Sequence, residues 1–205
     1  MTLEDALAVL VPHLTDGLCA DALRIHANGF LSRAGFGAGD GDGCFYMIGS
    51  MGLASSIGLG LALAQPRRRV VVLDGDGNVL MNLGTLATIA TQAPSNLLHV
   101  CFDNGAHAST GGQRTIADRV ALERVAATVG YRWTGRVATP EALAAEAPRF
   151  AEREGPAFLL VEIQLGPSGP PGPRIPFAPA DMTARVRRAV GVEAPTPSVR
   201  SASSP

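Results

Sequence analysis

Val70-Val71-Val72-Leu73 runs through Asp74 into Gly75-Asp76-Gly77 as a continuous β-branched and aliphatic stretch that ends in a glycine turn. A run with no polar alternation is expected of a strand buried on both faces, the habit of parallel sheets. Working outward, Asn78 to Gln92 reads as a helix and Leu97 to Phe102 as a second buried strand. Ile116 to Val129 reads as a helix, Tyr131 to Thr134 as a short strand, Glu141 to Glu154 as a helix and Ala157 to Ile163 as a strand. Strands alternating with helices of about ten to fifteen residues imply an α/β fold, a parallel sheet with helices on both faces. Ligands of such sheets bind at the carboxyl ends of the strands.

Toward the N-terminus, Thr2 and Asp5 form a capping-box pattern, and Leu3, Leu7, Leu10 and Val11 recur at helical spacing, so a first helix ends near His13. Ala22 to Ala27 reads as a strand and the glycine-rich Gly35 to Gly43 as a connecting loop, without dinucleotide or EF-hand spacing. Cys44 to Gln65 is 22 residues without a formal charge, followed by Arg67, Arg68 and Arg69. That length suffices for a membrane span. Its four glycines and three serines, however, favour a tightly packed buried helix, with the arginines on a solvated turn.

Composition narrows the chemistry. The 205 residues carry 17 basic and 18 acidic side chains, a net charge of −1, which fits no polybasic nucleic-acid binder. All the basic residues are arginines; without lysine there is no Schiff base, no covalently held pyridoxal and no Walker A amine. Cys19, Cys44 and Cys101 form no C-x-x-C pair for zinc or an iron–sulfur cluster. The reading is a reduced, cytoplasmic protein without a signal peptide, a membrane span or a nucleic-acid partner.

The sharpest feature is the pairing of Asp76 with Asn104, with residues 78–103 between Gly77 and Asn104. A helix of about 15 residues runs back roughly 22 Å, and a strand of about six residues returns roughly 20 Å. The two side chains therefore finish side by side at one sheet edge. One carboxylate and one neutral amide oxygen suit a hard octahedral cation that keeps coordination for phosphate and water, magnesium being the natural candidate. Gly75 and Gly77 allow close backbone approach, and Asn78 stands where it caps the following helix near an anion.

Gly75-Asp76-Gly77 followed by Asn104 resembles the signature of the thiamine-diphosphate enzymes, G-D-G, 24 to 27 residues, then N, with Asn78 where many relatives have serine. Over residues 20–165 the chain is more specifically similar to phosphonopyruvate and sulfopyruvate decarboxylases. Phe45 to Gly52, Met81 to Leu86, Asp103 to His107 and Ser109 to Gln113 carry that likeness. The resemblance implies thiamine diphosphate and Mg2+ as cofactors, with Asp76, Asn104 and the Ala106 carbonyl as metal ligands. It also implies a Gly49 carbonyl and neighbouring Ser50 at the aminopyrimidine, and Met51 as the wedge that bends the cofactor. The alternative for Met51 is ordinary gap-filling in the core.

His107 is a candidate proton donor or substrate contact, the alternative being a loop histidine. Ser109, Thr110, Gln113 and Arg114 are candidate substrate contacts, Arg114 for a sulfonate or phosphonate, against ordinary turn chemistry. His13, His26 and His99 have no companions at ligand spacing and read as structural. The resemblance covers the diphosphate-binding half only, so it implies a partner subunit with a pyrimidine-binding domain that supplies the activating glutamate, in an α2β2 heterotetramer. The expected activity is decarboxylation of a small anionic 2-oxoacid, 3-sulfopyruvate or 3-phosphonopyruvate. An acetolactate-synthase-like carboligase and a non-catalytic scaffold of the same fold stay open, whereas the missing cysteine motif speaks against a ferredoxin-linked oxidoreductase.

Residues 1–165 are expected to form the cofactor domain and 166–205 a Pro/Gly-rich arm. Within that arm, Gly166 to Arg174 has three Gly-X-Y triplets of polyproline-like character, and a short helix is expected over 181–190. Ala194 to Pro205 is Pro/Ser-rich and expected to be disordered or to wrap a neighbour.

Overall fold

A computed structural model describes residues 1–166 and 172–192. Helix α1 (Leu3–His13) opens with the expected reciprocal cap, Thr2 Oγ1 accepting from Asp5 N–H and Asp5 Oδ2 accepting from Thr2 N–H. A short 3-10 turn (Gly17–Cys19) leads to β1 (Leu23–His26), α2 (Phe30–Ala38), β2 (Cys44–Tyr46), α3 (Ala54–Ala64) and β3 (Val70–Gly75). There follow α4 (Asp76–Met81), α5 (Gly84–Gln92), β4 (Leu97–Asp103), the hairpin strands β5 (Ala106–His107) and β6 (Gln113–Arg114), and α6 (Leu122–Val129). Strand β7 (Trp133–Val137), α7 (Pro140–Glu152), β8 (Ala157–Glu162) and α8 (Pro179–Ala189) complete the described elements.

The main sheet is parallel, in the order β2-β1-β3-β4-β8-β7. Helix α1 packs with α2 and α7, and α3 and α6 pack with α5, so both faces are covered. The central strands accordingly bury Val70 to Leu73 and Leu97 to Cys101 almost completely. Because β1 sends its chain to β2 on one side while β3 lies on its other side, the strand order reverses at β1. A crevice opens at such a switch point.

Several boundaries differ from the sequence reading. The uncharged 44–65 stretch is not one helix: Cys44 to Tyr46 pairs with β1, and Ser50 and Gly52 take positive φ of 55° and 94° before α3 begins. That turn is incompatible with a continuous helix. Among the described residues no helix is long and apolar enough to cross a membrane. Part of the glycine-rich 35–43 stretch is helical, because Gly35 packs against the His26 ring, where a Cβ would come within 2.1 Å of Nδ1. The 78–92 helix is two helices, broken at Asn82 and Leu83; Asn82 turns its amide to Ser56 Oγ at 3.5 Å. Helix α6 starts at Leu122 rather than Ile116, since Thr115 Oγ1 binds Ala117 N–H and 116–120 folds as turns. Strand β7 begins at Trp133 rather than Tyr131, the Tyr131 ring being sealed against His99 and Phe158.

Arg68 and Arg69 are also less solvated than expected. Arg68 donates to the Asp21 and Ala189 carbonyls, and Arg69 to those of Ser95 and Glu152. Helix α8 begins two residues before the expected 181 and packs on the edge strand. There Met182 is buried against Cys44 and Tyr46, and Arg185 pairs with Asp40 at 2.9 Å. Residues 167–171 of the Gly-X-Y segment, and the Pro/Ser-rich 194–205, lie outside the described residues. The three cysteines are buried and free.

Candidate functional site

Register brings the site together. Gly75 of β3 stands opposite Phe102 of β4, so the residues that leave the two strands, Asp76 and Asn104, emerge at the same edge. Asp76 is the first residue of α4 and buried. Its Oδ2 accepts from Thr115 Oγ1 at 2.5 Å, and backbone N–H groups of Gly77 and Asn104 also favour its charged form. Burial pushes the Asp76 carboxyl above the ordinary carboxylate range, with the Thr115 bond opposing and Asp103 adding to the rise. A buried carboxylate raised in this way is a site that gains from a cation.

Asn104 sits in a tight turn with Gly105 at φ 67°. Its Oδ1 accepts from Ala106 N–H at 2.9 Å, while Asp103 Oδ1 accepts from Gly105 N–H at 3.0 Å. Among the described residues no three His, Cys, Asp or Glu side chains cluster around a possible metal. The donor set is therefore one carboxylate with neutral oxygens, which fits Mg2+ bound jointly with phosphate and not a tightly caged transition metal.

A cavity of about 130 Å³ extends from this edge, lined among others by Asn28 after β1, Met51, Gly75 to Asn78, Asn104, Ala106, His107, Ser109, Thr110 and Gln164 after β8. Gly77 is a crowded member of that lining. A Cβ there would stand 2.7 Å from His107 Cε1 and 3.1 Å from Met51 Cε. Met51, Gly77 and His107 thus converge on one spot, an arrangement that only a residue without a side chain permits. Gly49 and Ser50 are exposed beside Met51 and lie outside the cavity lining. Gln113 and Arg114 likewise lie outside that lining, exposed on the β5–β6 hairpin, where Arg114 pairs with Asp118 at 2.8 Å.

Behind the cavity runs a buried polar chain that sequence reasoning missed. Asn78 Oδ1 accepts from Gly52 N–H, and Asn78 Nδ2 donates to Asp74 Oδ1. Asp74 Oδ2 faces His99 Nε2 at 3.1 Å, and His99 Nδ1 meets the Tyr131 hydroxyl at 3.3 Å. Burial, reinforced by Asp74, pushes the Tyr131 hydroxyl up, so it stays a protonated donor. The chain ties the residue after Met51 to the strand that delivers Asp76. A polar residue inside each of two otherwise apolar strands was the signal for it.

The chain and its fold have known counterparts. Residues 44–161 match the family model described as thiamine pyrophosphate enzyme, C-terminal TPP binding domain. The chain is 51% identical over 138 residues to sulfopyruvate decarboxylase subunit beta of Methanothermobacter thermautotrophicus, covering 66% of this chain and 74% of that one. It is 42% identical over 167 residues to phosphonopyruvate decarboxylase of Streptomyces viridochromogenes, covering 82% of this chain. It spans only 42% of that relative's length. Among solved structures, a 2-oxoglutarate:ferredoxin oxidoreductase from Magnetococcus marinus superposes with a TM-score of 0.65 at 19% identity, over 84% of this chain and 64% of that one. The last likeness speaks for the fold alone.

Proposed function

The chain belongs to the thiamine pyrophosphate enzymes through their C-terminal TPP-binding domain, and from that membership we propose that it is the diphosphate-binding subunit of a decarboxylase for a 3-substituted pyruvate. The substrate class is 3-sulfopyruvate or 3-phosphonopyruvate, and the products are the aldehyde and carbon dioxide. The observation that carries the reading is the convergence of Asp76, Asn104 and Ala106 at one sheet edge with Met51, Gly77 and His107 beside them. The decarboxylase names of two relatives supply the substrate class.

In this reading the Asp76 carboxylate, the Asn104 amide oxygen and the Ala106 carbonyl would hold Mg2+, and with it the cofactor's diphosphate. Thiamine diphosphate, when bound, supplies a nucleophilic carbon and a sink for the electrons released with carbon dioxide. The chain's own residues position and exclude. The Gly49 carbonyl would accept a hydrogen bond from the aminopyrimidine, with Ser50 beside it, and Met51 would supply the apolar wedge that bends the cofactor. Gly77 leaves room for both Met51 and His107. His107 sets its imidazole at the cavity wall, where a proton could pass to a carbonyl oxygen or a product carbon, and Ser109 and Thr110 bring hydroxyl groups beside it.

A second chain with a pyrimidine-binding domain supplies the activating glutamate, in an α2β2 assembly; of this, the "subunit beta" name of the Methanothermobacter relative supports the existence of a partner subunit. The test is purification from native extract under mild conditions, with mass spectrometry of whatever accompanies the chain. The expected result is a co-eluting partner with thiamine diphosphate and magnesium, releasing carbon dioxide from 3-sulfopyruvate or 3-phosphonopyruvate. A cofactor-free homo-oligomer that releases none overturns the proposal.

A further inference from the structure

A second cavity, of about 330 Å³, adjoins the first and shares Phe30 and Ser109 with it. We propose that it is the subsite for a second anionic group on the substrate, a sulfonate or phosphonate, held by Arg33 of α2 and Arg174 of the segment before α8. The inference rests on the decarboxylase reading above and names the residues that would read the substituent on the third carbon.

Charge distribution is the first argument. Among the described residues the cavity that contains Asp76 and Asn104 has no arginine in its lining, which leaves an anion there to a metal and neutral donors. The second cavity gathers two guanidinium groups. It is also walled by Met47 and Ile48, which lead directly into Gly49 and Met51. The two arginines thus share a lining that reaches the chain just before Gly49 and, among the described residues, includes neither Asp76 nor Asn104. A tetrahedral oxyanion matches paired guanidinium forks better than any single point charge.

The segment that carries Arg174 is tied to α2 on both sides of it. Arg33 Nε donates to the Gly172 carbonyl at 2.5 Å, Phe177 packs edge-on against Phe36 at 6.0 Å, and Arg185 stacks on the Phe177 ring at 4.1 Å while pairing with Asp40. At the junction of the two cavities, Ser109 Oγ lies 2.8 Å from where a Gly29 Cβ would be. That close approach, with Gly29 at φ 84°, joins the loop after β1 to the loop that follows His107.

Arg114, the cation singled out by sequence, points elsewhere. Arg174 is exposed, so its replacement leaves the fold intact.

The test compares wild type with Arg174→Leu, Arg174→Lys and Arg33→Gln in complex with the partner chain. Binding of sulfoacetate, phosphonoacetate and acetate is measured by calorimetry, independently of turnover. Arg174→Leu should weaken sulfoacetate or phosphonoacetate about tenfold or more and leave acetate unchanged, with partial rescue by lysine. In turnover, KM for the anionic substrate rises while kcat holds. Whichever of the two probes binds more tightly identifies the group. Probes that bind wild type no more tightly than acetate, or bind Arg174→Leu and Arg33→Gln as tightly as wild type, overturn the subsite. If wild type decarboxylates neither substrate yet the anion binding follows the arginines, the function reading fails and the subsite stands.

Discussion

His99 Nε2 lies 3.1 Å from Asp74 Oδ2, and both side chains are sealed from solvent, on neighbouring strands of an otherwise aliphatic sheet centre. Removing one partner of such a pair strands the other without water. His99→Leu is expected to cost about 1–3 kcal/mol of stability, the scale of a buried hydrogen-bonding group left without its partner, read as a lowered melting temperature by circular dichroism. Asp74→Asn, which also disturbs Asn78 and through it Gly52, should in addition weaken thiamine diphosphate binding below the melting transition. A variant as stable as wild type would show that the pair is ornamental.

The metal reading makes a sharper demand. Asp76→Asn and Asn104→Ala should each weaken magnesium-dependent binding of thiamine diphosphate by more than about 100-fold, since even outer-shell partners of metal ligands are worth about 10–100-fold. Calorimetry with and without magnesium checks this. Unchanged affinity in either variant removes that residue from the ligand set.

Gly77→Ala places a methyl group 2.7 Å from His107 Cε1 and 3.1 Å from Met51 Cε. Overpacking of this kind costs about 1–3 kcal/mol, and here it should also reduce cofactor affinity by displacing Met51. Gly84→Ala is the control, because a Cβ there meets nothing within 4 Å. Equal cofactor affinity in the two variants would mean that the crowding at Gly77 is relieved without consequence.

His107→Asn is expected to lower kcat about 100-fold or more, the scale of a lost general acid, with cofactor affinity held. Single-turnover carbon dioxide release separates this from a binding defect. An unaltered kcat would return His107 to the status of a loop residue.

His26 predicts a pH dependence. Burial first, then the Arg24 charge, lowers its imidazole to about 3, against the pull of Asp40. From about pH 6.5 downward the unfolded chain takes up a proton that the folded chain refuses until about pH 3, so stability falls with falling pH across that window. The slope is at most about 1.4 kcal/mol per pH unit. His26→Phe keeps a ring against Tyr46, 4.6 Å away, and removes the proton. Urea midpoints between pH 4 and 7 should therefore be flatter in the variant, and parallel curves would contradict the assignment.

Much of this was legible in the sequence, and for identifiable reasons. The Val70–Leu73 run, the Thr2–Asp5 cap and the Asp76–Asn104 spacing are local or nearly periodic signals, and each gives its element or juxtaposition directly. Cys44 to Tyr46 was hidden because a three-residue strand inside an uncharged stretch has no period of its own; only pairing with Leu23–His26 makes it a strand. Thr115, Arg33 and Arg174 were equally invisible, since the Thr115 bond to Asp76 and the arginines' places in the second cavity depend on contacts between segments up to 139 residues apart. Asp74 and His99 were readable as oddities in apolar strands, yet nothing local says that the two face one another.

The three cysteines give the chain a built-in reporter. Cys19, Cys44 and Cys101 are each exposed by 1% or less, and burial raises all three thiols, so alkylating reagents meet neither access nor thiolate in the native state. Cys44 sits under α8 on the edge strand, whereas Cys101 lies at the sheet centre. The order in which they become labelled during a slow reagent pulse therefore timestamps which layer opens first. Detachment of the C-terminal helix can be followed apart from global unfolding without adding a single probe.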